Sequence, residues 1–140
     1  MVKQLDVIDS RILALLKTDS RMPYTEMAKT LGLSEGAVRQ RVKGLTESGV
    51  IKRFTVETSE NSPTALILIS ASAKVPVPKV ARDISSLAGV DSVAEVAGQF
   101  DVSVVVTGSD VASVNQCIDA IRGLEGVEST NTFFVLRKWK

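Results

Sequence analysis

Thirty residues, Tyr24 to Arg53 (YTEMAKTLGLSEGAVRQRVKGLTESGVIKR), constrain the fold more than any other part of the chain. Met27, Ala28 and Leu31 share one stripe of a short helix. Gly32 follows where that helix ends, because glycine tolerates the left-handed backbone of the position. Ser34 can cap a second helix by accepting from a free backbone N–H, and Val38, Val42 and Leu45, at i, i+4 and i+7, give that helix a buried side. Two helices joined by so short a turn read as a helix-turn-helix. The second helix of such a motif enters the major groove of double-stranded DNA, where arginine and glutamine donate paired hydrogen bonds to base edges. Its outward set here is Glu35, Gly36, Arg39, Gln40 and Lys43, with Ser34 at its start. Lys52 and Arg53 lie beyond it and suit phosphate, which fixes register without carrying sequence. Arg41 neighbours the buried stripe and reads as a structural ion pair with Asp9.

A third helix starts near Asp6, a good cap, and carries Leu5, Ile8, Ile12, Leu15 and Leu16 on one side. Gly49 ends the recognition helix, and Val50 to Val56 reads as a β segment leaving the domain. Glu57 to Pro63 is polar and proline-terminated, with too little apolar surface to order a packed element. The expected organisation is residues 1–54 as the DNA-binding domain, 55–63 as linker and 64–140 as a second domain. Charge divides the same way. Residues 1–53 hold ten Lys/Arg against six Asp/Glu, and residues 54–140 hold seven against ten. A basic half attracts phosphate and a mildly acidic half does not.

The second half contains a weak repeat. Ile84 to Ser92 (ISSLAGVDS) matches Ile121 to Ser129 (IRGLEGVES), each a helix end followed by a strand start. Amphipathic helices precede both, one with Val80, Ile84 and Leu87, the other with Val111, Val114, Ile118, Ile121 and Leu124. Residues 64–73 and 101–107 are rich in β-branched and aliphatic types, and Gly98-Gln99-Phe100 suits a turn between strands. The order β-α-β-β-α-β is the ferredoxin-like arrangement, so the fold class is α+β: a three-helix, winged-helix-like helix-turn-helix domain and then a ferredoxin-like domain. In Ala65 to Ile69 and in Phe133 to Leu136 both alternating faces are apolar, although helices cover only one side of a four-stranded sheet. The other side needs a partner. A second copy would supply it and set two recognition helices on a symmetric site; the alternative is packing on the chain's own first domain.

Other chemistries are narrowed by what the chain lacks. With no histidine and one cysteine, it cannot build a zinc site or a histidine-based catalytic pair, and no phosphate-cradling glycine motif occurs. An enzyme is not expected, nor a cofactor or metal. Cys117 falls on an apolar helix stripe and reads as a packing thiol, and Trp139 as a packing residue. No apolar run reaches the roughly 20 residues of a membrane span, and MVKQLDVIDS has no signal-peptide core, so a cytoplasmic protein without a membrane partner is expected.

The residues resemble the leucine-responsive regulator/AsnC (Lrp/AsnC, "feast/famine") transcription regulators over nearly the whole chain. The resemblance is carried by Leu5-Asp6, Asp9, Ile12-Leu13, Leu16, Arg21, Ala28, Leu31-Gly32-Leu33-Ser34, Val38, Arg41-Val42, Leu45 and Gly49-Val50-Ile51. Gly98-Gln99-Phe100-Asp101, Gly126-Val127, Thr130 and Thr132 add to it in the second half. It implies a winged or simple helix-turn-helix joined to a ferredoxin-like effector domain, homodimers that assemble further into octamers, and an amino acid as small-molecule effector. The effector would lie near the Gly-x-x-Asp turn between neighbouring subunits, at Gly98, Gln99, Phe100, Asp101, Thr130 and Thr132. Those residues equally suit a turn, its cap and two β-formers. The polar segment after Val56 departs from the family's apolar-glycine entry into the second domain. The function expected is a DNA-binding transcriptional regulator that responds to a small effector. The alternative is an architectural protein that coats DNA with no ligand and little sequence preference.

Overall fold

The computed structural model describes residues 4–58 and 61–139. The chain divides between Thr58 and Ser59 into two compact units.

The described residues of the first unit form three helices: α1 (Val7–Thr18), α2 (Tyr24–Leu31) and α3 (Glu35–Glu47). Asp6 caps α1 by accepting from the Asp9 N–H at 2.7 Å. Ile12, Leu16, Met27, Ala28, Leu31, Val38, Val42 and Leu45 form the core where the three apolar stripes meet. Leu5 stays largely exposed outside it. Val50 to Val56, expected as a β segment, is not a strand. A chain of β-prone residues becomes a strand only by pairing, and no second strand exists among the described residues of this unit. Of the winged and simple forms, the described residues give the simple one.

The second unit runs β1 (Thr64–Ala71), α4 (Val77–Ser85), β2 (Val90–Glu95), β3 (Val102–Thr107), α5 (Val111–Arg122), β4 (Val127–Phe134). The sheet is antiparallel in the order β2-β3-β1-β4, as the ferredoxin-like arrangement requires. Asp110 caps α5 by a reciprocal pair of hydrogen bonds with Ser113. One sheet face buries Ala65, Ile67, Ile69, Val102, Val104 and Val106 against Val80 and Ile84 of α4 and Val114, Cys117, Ile118 and Ile121 of α5. Cys117 is thus a packing thiol, and burial pushes its pKa up. Cross-strand partners share a face. Leu66 is paired with Val105 and Phe133, and Leu68 with Ser103 and Asn131, so these six residues form the opposite face. That face is apolar along one row and mixed along the next.

Several expected features shift. Strand β1 ends at Ala71 rather than at 73, because the register breaks at Ser70/Ala71 and Ser72 donates instead to the Gly126 carbonyl. Strand β4 ends at Phe134; Val135 makes one further bond to Thr64, and Leu136 is 97% exposed. Val111, on the first turn of α5, faces solvent instead of the core, and Trp139 is exposed with Arg137 stacked on its ring.

The repeat places Gly89 and Gly126 at equivalent turns, with φ of +89° and +92°. Their surroundings differ. A Cβ on Gly126 would lie 2.7 Å from Val80 Cγ2 and 2.8 Å from Val75 Cβ, whereas one on Gly89 would meet nothing closer than 3.6 Å. Gly89→Ala should therefore cost only the left-handed backbone penalty, roughly 1–2 kcal/mol. Gly126→Ala adds overpacking and should cost about 3 kcal/mol or more. Chemical denaturation of the two variants checks the difference, and equal losses would contradict it.

Candidate functional site

The outward face of α3 is built by what surrounds it. Gly32 ends α2 with φ 69° and ψ 35°, and the Leu33 N–H donates to the Ala28 carbonyl at 3.0 Å, so the chain reverses within three residues. The Ser34 hydroxyl accepts from the Ala37 N–H at 3.2 Å, starting α3. Val38 and Leu45 are fully buried and Val42 nearly so, which fixes the rotation of the helix. Glu35, Gly36, Arg39, Gln40 and Lys43 are left exposed in one band. Nothing crowds Gly36 within 4 Å of a Cβ position, so another molecule's backbone can approach there.

The charged groups in this band are partly organised. Arg39 Nη2 donates to Glu35 Oε1 at 2.6 Å, and its guanidinium lies 5.1 Å from the centre of the Tyr24 ring. Lys43 sits 3.7 Å from Glu47. Tyr24 carried no signal in the sequence, because its partner is fifteen residues away across a turn. Arg41 behaves differently from its neighbours. It turns inward and donates from Nη1 to Asp9 Oδ1 at 2.8 Å and to Asp6 Oδ2 at 2.7 Å. Asp9 is 2% exposed, so the expected ion pair ties α3 to α1 at the edge of the core. Asp6 joins it, which the sequence reading did not anticipate. The Asp9 N–H and then the Arg41 guanidinium hold the Asp6 carboxyl below its usual pKa, and Asp6 and Asp9 raise that of Arg41. Lys52 and Arg53 are exposed and, with Lys17 and Arg21, line an open cleft of about 780 Å³ between the end of α1 and residues 50–57.

In the second unit the residues expected to meet an effector fall in two places. Gly98 and Gln99 are exposed at the turn before β3, Gly98 with φ 140° and open space where a Cβ would stand. Phe100 and Asp101 are half-buried. Asp101 ties the turn to the end of β1: its Oδ2 accepts from the Ala71 N–H at 2.7 Å, and its own N–H donates to the Ile69 carbonyl at 2.9 Å. Thr130 and Thr132 lie on β4, opposite Ile69 and Ile67 and on the helix-covered face. Arg122 Nε donates to the Thr130 hydroxyl at 3.1 Å, and the Thr132 hydroxyl oxygen is buried with no hydrogen-bond partner among the described residues. Thr132 also borders a groove of about 380 Å³ between α5 and β4, with Asn115, Asp119 and Arg122 on its rim. β1 lies between β3 and β4, so the turn, tied to the Ile69 carbonyl, and Thr130, opposite Ile69, flank that strand from its two sides.

Among the described residues no cluster of His, Cys, Asp and Glu is able to hold a metal ion, and no helix is long and apolar enough to cross a membrane. A capped recognition helix on a three-helix core, followed by a ferredoxin-like unit, defines a helix-turn-helix DNA-binding protein with a companion domain. Comparison with known proteins narrows the class. Residues 5–46 match the family model described as the AsnC-type helix-turn-helix domain, and residues 64–140 match the Lrp/AsnC ligand binding domain. The chain is similar to the HTH-type transcriptional regulator LysM of Saccharolobus solfataricus, at 40% identity over 96% of each chain. It is similar also to that of Sulfurisphaera tokodaii, at 42% identity over 96% of each chain. Among solved structures, the regulator NMB0573 of Neisseria meningitidis in complex with L-Met superposes with a TM-score of 0.77 at 22% identity, covering 98% of this chain and 93% of the other. The chain belongs to the Lrp/AsnC family of transcriptional regulators, with a helix-turn-helix DNA-binding domain and a ligand-binding domain.

Proposed function

We propose that the chain is a sequence-specific regulator that binds double-stranded DNA as a symmetric homodimer and responds to an amino acid. The observation that carries the DNA-reading half is the exposed band of α3, with Arg39, Gln40 and Lys43 on a helix whose rotation is fixed by a buried stripe and a capped start. Ser34 and Glu35 open that helix at the groove, and Lys52 and Arg53 take phosphates. Residues 55–63 join the two halves as a linker. The homodimer forms through the outer sheet face at Leu66, Leu68, Val105 and Phe133, since no helix of the second unit's core covers it. Dimers assemble further into octamers, and the protein works in the cytoplasm.

The effector reading draws support from the ligand-binding family model and from a structural relative that holds L-Met. Gly98, Gln99, Phe100 and Asp101 of one subunit meet Thr130 and Thr132 of another. The exposed turn offers backbone and charge to an ammonium, and the threonine hydroxyls suit a carboxylate.

Mutation separates base reading from phosphate binding. Arg39→Ala should flatten the preference for specific over random DNA by about 1–3 kcal/mol at one base pair, as expected for a bidentate contact. Lys52→Ala should weaken binding to all sequences alike and reduce the salt slope by about one unit. Titration of labelled specific and scrambled duplexes at several salt concentrations measures both quantities. Unchanged selectivity in a folded Arg39→Ala chain would overturn the base-reading role.

A further inference from the structure

We infer that Tyr24 is a specificity-determining residue, holding the Arg39 guanidinium, together with Glu35, as a preset reading head for one base pair. The inference rests on the proposal that α3 reads DNA, and deepens it. Among the described residues, Arg39 is the cation of the exposed band of α3 that meets both a carboxylate and an aromatic face. Its Nη2 donates to Glu35 Oε1 at 2.6 Å, and its guanidinium carbon lies 5.1 Å from the centre of the Tyr24 ring. The two supports are unequal in firmness. Glu35 is itself exposed, on the first turn of α3. Tyr24, the first residue of α2, is half-buried and packs against the helical core, so its ring is fixed from behind.

A mobile arginine loses rotamer freedom when it forks onto a base, and one already held in place loses less. Glu35 occupies one of the five guanidinium donors, which leaves enough for a paired contact with the O6 and N7 acceptors of guanine. Glu35 also offsets the positive charge of Arg39. The side chain therefore adds little to the nonspecific attraction for phosphate, and its contribution falls on base discrimination. Tyr24 would act through Arg39, as a positioning residue, without touching a base.

The test is a double-mutant cycle on the full-length protein, with the ratio of specific to scrambled-duplex affinity as readout. Tyr24→Leu removes the ring and keeps apolar bulk. It should lower the ratio about two- to fivefold, the range for a cation held over an exposed aromatic face. The loss should fall at the same base pair that Arg39→Ala affects, with the salt slope unchanged. In the Arg39→Ala background Tyr24→Leu should do nothing further, whereas Tyr24→Phe in the otherwise wild-type chain, which keeps the ring, should keep the wild-type ratio. Should Tyr24→Leu fail to fold by thermal melting, Tyr24→Met replaces it in the same cycle. Equal losses with and without Arg39, or a ratio unchanged by losing the ring, would overturn the role of Tyr24 while leaving Arg39 as a reader. Unchanged selectivity in Arg39→Ala itself would overturn both.

Discussion

Replacing Ile67 by glutamate should abolish folding of the second unit, whereas replacing its neighbour Leu66 should leave the unit folded and monomeric. Ile67 is fully buried on the helix-covered face, in one core with Ile69, Val104 and the apolar residues of α4 and α5. An unpaired carboxylate there costs on the order of 5 kcal/mol, comparable to the whole stability of a small domain. Leu66 points to the opposite face, in the row with Val105 and Phe133. In a sheet-to-sheet dimer that face is buried twice over, and a charge on each copy would be brought against its twin. Circular dichroism with sedimentation distinguishes the two variants. A dimeric Leu66→Glu chain would show that the outer face is not the interface.

The second large effect is expected at the joint between α1 and α3. Arg41→Met removes the guanidinium that reaches both Asp9 and Asp6, and so breaks an ion pair whose Asp9 member is nearly buried. Breaking a pair with a buried member is far more damaging than losing a surface pair, so the melting temperature of the first unit should fall by roughly 10 °C. DNA affinity should fall with it, since the joint ties α3 to α1. Acid acts on the same joint. The folded pKa of Asp6 is depressed below the ordinary value of 3.8, so its contribution is fully present above that pH and is lost as pH falls below it through the folded value. Asp6→Asn keeps a capping oxygen but cannot titrate, and its unfolding curve should lose part of its acid dependence below pH 3.8. A wild-type acid slope in Asp6→Asn would contradict the assignment.

What could be read from the residues alone follows the range of the forces involved. Gly32, Ser34 and the stripe Val38, Val42 and Leu45 act within a few residues of themselves, and the helix-turn-helix was legible from them. The β-α-β-β-α-β order was legible for the same reason, from periodicity and from the repeated turn at Gly89 and Gly126. Pairing is not local. Val50 to Val56 has strand composition but finds no strand beside it among the described residues of its unit, and Val135 and Leu136 continue an apolar run past the last full rung of the ladder. Composition also could not say which side of β1 faces the helices. Ile67 and Leu68 are equally apolar, and only the sheet register shows that Ile67 and Ile69 face the helices while Leu66 and Leu68 lie on the face proposed for the dimer. The same holds at the candidate site. Arg39 stood out as an exposed donor, but its hold on Tyr24 depends on how α2 and α3 cross, and the tie from Asp101 to Ala71 spans thirty residues.

The central claim is a DNA-reading protein whose binding is set by an amino acid. An electrophoretic mobility shift on the DNA upstream of the protein's own gene, repeated with each of the twenty amino acids at millimolar concentration, tests it most directly. The account predicts a discrete complex that survives excess bulk DNA, with one or a few amino acids changing its affinity about fivefold or more, or changing its mobility. An Asp101→Asn chain, which retains an acceptor for the Ala71 N–H, should form the complex without that response. Binding no tighter than to bulk DNA, and indifferent to every amino acid, would contradict the account and leave a ligand-free protein that coats DNA.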